Sequence, residues 1–121
     1  GIGGKIREEA GDARVVIVDC LTLLVANVLG QYGDDPEQFD ISVVEDRLNE
    51  EIKELVECMD DISATFILVS NEVGMGLVPE NWLGRVYRDL LGKVHQALTE
   101  RADRVYFMLG GIPLSLKREE V

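Results

Sequence analysis

Three apolar runs without polar alternation punctuate the chain: Val15-Val-Ile-Val18, Phe66-Ile-Leu-Val69 and Val105-Tyr-Phe-Met-Leu109. Runs of this kind are expected of strands covered on both faces, as in parallel sheets. Between them the period changes. Ile41, Val44, Leu48, Ile52, Leu55 and Met59 recur every three or four residues, as do Leu83, Val86, Leu90, Val94 and Leu98. Each set makes the apolar stripe of an amphipathic helix, the second spanning about Glu80 to Ala102. Leu21 to Gln31 is apolar nearly all round, which suits a helix buried against a sheet or a partner. Ser42-Val-Val-Glu45 has the spacing of a capping box that would open the first amphipathic helix. The order strand, helix, helix, strand, helix, strand predicts an α/β fold with a parallel sheet and right-handed crossovers, Leu114 to Lys117 adding a short last strand.

The remaining stretches are read as connections. Residues 1–13, glycine-rich and then charged, have no apolar period and are expected to form a loop or loose start. Gly4-Lys5 does not make a phosphate loop, which needs a preceding strand, wider glycine spacing and Ser or Thr after the lysine, where Ile6 stands. Gly30 to Phe39 mixes Gly, Asp and Pro and is expected to be an exposed connection. No internal repeat is present.

Composition narrows the function. The chain has 121 residues, 46% of them hydrophobic, enough for one domain with a packed core. A net charge of -11 argues against a broad nucleic-acid surface, which needs clustered Lys and Arg. A nucleotide could still bind through local basic groups, amides or a metal. Cys20 and Cys58 have no metal-ligand spacing and are read as reduced core thiols. No signal-peptide pattern opens the chain and no apolar run approaches the length of a membrane span, so a cytoplasmic protein is expected. Glu45, Asp46, Glu50, Glu51, Glu54 and Glu57 share a helix with Arg47 and Lys53. They are read as a solvated face, not a metal site.

Candidate chemistry gathers at the strand ends. The run at 66–69 breaks into Ser-Asn-Glu-Val-Gly-Met-Gly-Leu-Val-Pro-Glu-Asn (70–81). Asn71 and Glu72 would then sit where the carboxyl end of a parallel strand meets the ligand crevice of an open α/β sheet. Gly74 and Gly76 allow close backbone approach, and Pro79 stiffens the return to the next helix. Taken as spacing alone, this is equally a well-built strand-to-helix connection. Asp19 ends the first run, where a carboxylate either holds magnesium beside nucleotide phosphates or caps the following helix. Thr22 either caps that helix or faces a ligand. Arg85 and Arg88, early in the last helix, could fork onto phosphate oxygens or pair with Asp89 or Glu80.

Val-Ser-Asn-Glu-Val-Gly-Met-Gly-Leu-Val-Pro-Glu-Asn (69–81), with Val-Asp-Cys-Leu-Thr (18–22), resembles the bifunctional adenosylcobinamide kinase / adenosylcobinamide-phosphate guanylyltransferase family of cobalamin biosynthesis. The likeness continues through Arg85, Arg88-Asp89-Leu90, Ala102-Asp103 and Gly111-Ile-Pro-Leu114, covering about residues 13–117. It implies a three-layer, mostly parallel sheet of P-loop, RecA-like type. It further implies phosphorylation of adenosylcobinamide by GTP or ATP, then GMP transfer from GTP by way of a covalent guanylyl-histidine, giving adenosyl-GDP-cobinamide. Compact homo-oligomers are implied as well.

On this resemblance Asp19 becomes a ligand for Mg2+ or nucleotide, with Thr22, Arg85 and Arg88 at the nucleotide. Asn71, Glu72, Gly74, Gly76, Glu80 and Asn81 would shape the corrinoid crevice or a subunit contact. The family's phosphate loop and nucleophilic histidine have no counterpart here, both falling upstream of residue 13 in its pattern. His95 does not match the nucleophile's place and is read as a partly exposed helical histidine. No catalytic residue is therefore assigned. The expectation is residues 14–121 as the carboxyl-terminal part of a P-loop-type domain, without its first strand and inactive alone. The alternative is a catalytically empty nucleotide- or corrinoid-binding module of the same fold.

Overall fold

The computed structural model describes residues 1–33, 35, 37, 39–72 and 81–118. In chain order the elements are α1 (Ile2–Glu9), β1 (Val15–Asp19), α2 (Leu21–Gly30), α3 (Ile41–Asp61), β2 (Thr65–Val69), α4 (Trp82–Arg101), β3 (Arg104–Leu109) and β4 (Ile112–Arg118).

The first two apolar runs pair as expected: β1 and β2 are parallel, with Val15 opposite Thr65 and Asp19 opposite Val69. Successive strand side chains point to opposite faces. Val18 is buried and Leu68 packs against the same core as α2, α3 and α4. Val15, Ile17, Ile67 and Val69 belong to the other face and remain exposed, Ile17 at 63%. The helices thus cover one side of this sheet, and among the described residues no layer covers the other.

The third run departs from the expected parallel sheet. β3 pairs antiparallel with β4 and forms a separate two-stranded sheet. The cause is local. Gly110 and Gly111, both at positive φ (54° and 79°), make a two-residue turn whose twist matches a hairpin. Two apolar runs around Gly-Gly therefore fold back on each other without a crossover. The fold is mixed α/β with a small parallel sheet; a three-layer arrangement is not present among the described elements.

The helices are built as their stripes dictate, with two corrections. Val44, Leu48, Ile52 and Leu55 of α3 are buried, as are Val86, Leu90, Leu91, Val94 and Leu98 of α4. Fully burying each such side chain contributes about 1.5–3 kcal/mol. The cap of α3, however, is not Ser42. The Asp40 side chain accepts from the Ser42 amide at 2.9 Å, placing the start two residues earlier than the box at 42–45 implied. Phe39, assigned to an exposed connection, is buried and meets Trp82 edge to face with centroids 5.0 Å apart. That contact ties the entry of α3 to the start of α4.

The expected loose start is a helix. α1 packs on α3, with Ile2 and Ile6 against the main core. Gly3 makes the approach possible, since a Cβ there would lie 2.8 Å from the Glu54 carbonyl oxygen. Glu51, expected on the solvated face of α3, is 4% exposed. It accepts from the Ile2 amide at 3.1 Å and from Arg47 at 2.7 Å. A carboxylate at the amino end of α1 satisfies amides that have no intrahelical partner and meets the positive end of the helix dipole. The remaining α3 acids do lie toward solvent, none of them fully buried.

Candidate functional site at the carboxyl edge of the parallel sheet

The parallel pairing of β1 and β2 brings their carboxyl ends to one edge. Asp19 lies opposite Val69, so the exposed residues of β1 and β2 share a face on which Asp19 is the last position of β1. Ser70, Asn71 and Glu72 extend from β2 beyond this point. Ser70 is half-buried, continuing the helix-side positions Phe66 and Leu68, whereas Asn71 is exposed and continues Ile67 and Val69. Asp19 and Asn71 therefore stand at the same edge of the same open, apolar face.

The helix side of the edge is tied down. His95 of α4 has its Nε2 2.5 Å from the Ser70 hydroxyl and its Nδ1 3.7 Å from a Glu72 carboxylate oxygen. The imidazole side chain is only 19% exposed. A cavity of about 380 Å³ opens beside it, lined by Glu72, Arg88, Asp89, Lys93, His95 and Gln96 among others. Lys93 in turn pairs with Glu45 of α3. His95, set aside as a nucleophile from the sequence, is thus a side chain that joins the β2 tip to α4. The signal that marks it is weak: a histidine one residue from the buried Val94, on the flank of a core stripe.

The other assigned residues fall in distinct places. Thr22 is buried at 8% exposure and its hydroxyl lies 2.7 Å from the Cys20 thiol, so it faces inward at the start of α2. Tyr87 donates a long 3.4 Å hydrogen bond to the Thr22 carbonyl, which brings the second turn of α4 to the β1 exit. Arg85 and Arg88 flank Tyr87 in that turn; Arg85 is exposed and Arg88 lines the cavity with Glu72. Asn81 is the amino cap of α4, its side-chain oxygen accepting from the Gly84 amide at 2.6 Å. Gly74, Gly76 and Glu80 lie outside the described residues.

No group of three or more His, Cys, Asp or Glu side chains among the described residues could hold an ion by itself. Asp19, a single exposed carboxylate, suits Mg2+, which keeps several waters and takes one or two carboxylates plus substrate phosphates. Titration is shifted at Tyr87, near the β1 exit, and at Cys58, far from this edge in the last turn of α3 beside Arg7 and Asp61. Burial pushes the Tyr87 phenol up, with the nearby Cys20 adding to it, and burial likewise pushes the Cys58 thiol up. Both stay protonated at neutral pH. Neither cysteine is in a disulfide, and no described helix is long and apolar enough to cross a membrane.

Comparison with known proteins meets this geometry with a family. The chain is 42% identical over 118 residues to the bifunctional adenosylcobalamin biosynthesis protein CobP of Pseudomonas aeruginosa PAO1, covering 98% of this chain and 62% of that protein. It is 38% identical over 114 residues to the bifunctional adenosylcobalamin biosynthesis protein CobU of Escherichia coli K12, covering 93% of this chain and 63% of the relative. The CobU protein of Salmonella typhimurium LT2 is 40% identical over 104 residues. The chain thus spans about three fifths of the length of these curated relatives. The family model for cobinamide kinase / cobinamide phosphate guanyltransferase matches residues 2–116, and the chain belongs to that family.

Proposed function

We propose that this chain contributes the Asp19–Asn71 edge of a bifunctional enzyme that phosphorylates adenosylcobinamide and then transfers GMP to adenosylcobinamide phosphate. The reading rests on family membership together with one structural observation. Two polar residues carried by the family resemblance, Asp19 at the end of β1 and Asn71 two residues past the end of β2, stand at one edge of an apolar face that nothing described covers. Apolar faces and strand edges of this kind are normally covered. A segment equivalent to the part of the relatives that this chain does not match would cover it and complete a three-layer, P-loop-type domain, in which α1 joins the residues from 14 onward as one packed part.

The chemistry proposed has two steps. In the first, the cobinamide hydroxyl oxygen attacks the γ-phosphorus of GTP or ATP and the nucleoside diphosphate leaves. In the second, GTP first gives its guanylyl group to the histidine of the family's pattern with loss of pyrophosphate. A phosphate oxygen of adenosylcobinamide phosphate then attacks that α-phosphorus, breaking its bond to the histidine and giving adenosyl-GDP-cobinamide. Both steps spread negative charge over phosphate oxygens, so the protein's part is positioning and charge neutralisation. Asp19 would hold Mg2+, which when bound offsets charge on the phosphates. Arg85 and Arg88 present guanidinium groups able to contact phosphate in a forked geometry. Asn71 and Glu72 shape the crevice for the corrinoid side chain, with Gly74, Gly76 and Glu80 assigned there by resemblance. Asn81 serves that crevice by fixing the start of α4. The two substrates, a homo-oligomeric assembly and a cytoplasmic location belong to the same proposal.

The test is complementation. The part of the Pseudomonas relative that this chain does not match is fused to it, and phosphate and GMP incorporation into adenosylcobinamide are followed. Turnover by the fusion, absent from either part alone and abolished by Asp19→Asn in a folded fusion, is the expected result. Nucleotide or corrinoid binding without turnover in the fusion would instead favour a catalytically empty binding module.

A further inference from the structure

We infer that His95 is a positioning residue that clasps the tip of β2 from the helix side and so presents Asn71 at the open side beside Asp19. The argument is geometric. Ser70 and Glu72 both reach one imidazole, at 2.5 Å through Nε2 and 3.7 Å through Nδ1. Side chains two positions apart lie on one face of an extended segment, and such a segment turns the intervening side chain to the opposite face. The exposure pattern agrees as far as Asn71: positions 66, 68 and 70 are half-buried and positions 67, 69 and 71 are exposed, while Glu72, itself exposed, reaches the ring from the surface.

A strand tip beyond its last ladder hydrogen bond has no backbone partner to hold it extended, so side-chain tethers decide its direction. His95 itself is a firm anchor. It sits between the buried Val94 and Leu98 on α4, and its ring is four-fifths covered. Other charged groups near the ring, Arg88 and Asp89 one or two turns before it and Lys93 paired with Glu45, line the adjoining cavity. Which ligand Asn71 meets rests on the cobinamide reading above; the clasp does not.

Because His95 is the chain's only histidine, its ring gives one set of NMR signals that need no further assignment. In the ¹⁵N-labelled 121-residue protein, Ser70→Ala is expected to move the His95 Nε2 signal. His95→Ala is expected to move the Asn71 amide by several linewidths and to raise its fast motion. His95→Gln, whose amide nitrogen reaches the place of Nε2, is expected to return Asn71 most of the way to its original position and rigidity. A residue that merely packs would not be rescued by Gln in this manner. Unchanged Val94 and Leu98 methyl signals establish that each variant is folded, and Lys93→Ala serves as a neighbour that should leave Asn71 in place. An Asn71 amide indifferent to His95→Ala, or a Gln variant indistinguishable from Ala, overturns the inference. In the complemented enzyme, turnover that survives alongside an unmoved Asn71 would sink the clasp alone. An intact clasp with no turnover would sink the cobinamide reading alone.

Discussion

Glu51 is the residue at which charge and packing are most closely joined. It is a carboxylate at 4% exposure that accepts from both Arg47 and the Ile2 amide. Removing one partner of a buried, hydrogen-bonded group leaves the others unsatisfied, at about 1–3 kcal/mol. Glu51→Ala should therefore lower the unfolding free energy read from urea titration by that amount and release α1, seen as rapid amide exchange over residues 2–9. Glu50→Ala, on the exposed side, should do neither. Cys58 gives a prediction in pH. Burial holds its thiol above the ordinary value of 9.0, so the folded state keeps a proton that the unfolded state loses. That contribution is fully present below about pH 9 and is lost as pH rises through the folded value. Tyr87, also raised by burial, adds loss in the same direction from above pH 10. Urea titrations from pH 7 to 10.5 should show stability falling above pH 9, with the first part of the fall removed in Cys58→Ala.

At the scale of elements, the two long helices and the first two strands were legible because their periods are long and unbroken. The stripe of α3 from Val44 to Leu55 and the run at 66–69 leave little choice of structure. α1 was not legible. Ile2 and Ile6 are only two apolar positions among glycines and charges, and what makes the segment helical is tertiary: the fit of Gly3 against Glu54 and the carboxylate of Glu51. Gly3→Val should undo it, because the displaced atom would be backbone. A loss of about 1–3 kcal/mol is expected from forcing the extra carbons into the contact, read as a lowered melting temperature and exposure of α1 to protease. The β3–β4 hairpin was misjudged although its signal was present, since Gly110-Gly111 between two apolar stretches is a hairpin turn. Gly111 lies at φ 79°, so Gly111→Ala should cost about 1–2 kcal/mol, measured as a lower urea midpoint. Asp19 and Asn71 could be placed at strand ends from the sequence. The clasp beneath Asn71 could not, because it depends on how far α4 slides along the sheet.

Both sheets carry exposed apolar side chains. Val15, Ile17, Ile67 and Val69 of the parallel sheet are exposed, and so are Tyr106 and Met108 of the hairpin. The family's relatives are longer by about two fifths of their length than the span matched here. A face of this kind should bind a hydrophobic dye in the isolated chain, and Ile67→Glu should weaken that binding while preventing complementation. The most direct measurement takes the purified 121-residue chain and its fusion with the unmatched part of the Pseudomonas relative. Each is incubated with GTP and Mg2+ and examined by intact-mass spectrometry for one added GMP. The account predicts no adduct on the chain alone, where His95 is engaged with Ser70 and Glu72, and one adduct on the fusion. A guanylylated chain on its own, or a fusion that never acquires GMP, would contradict it.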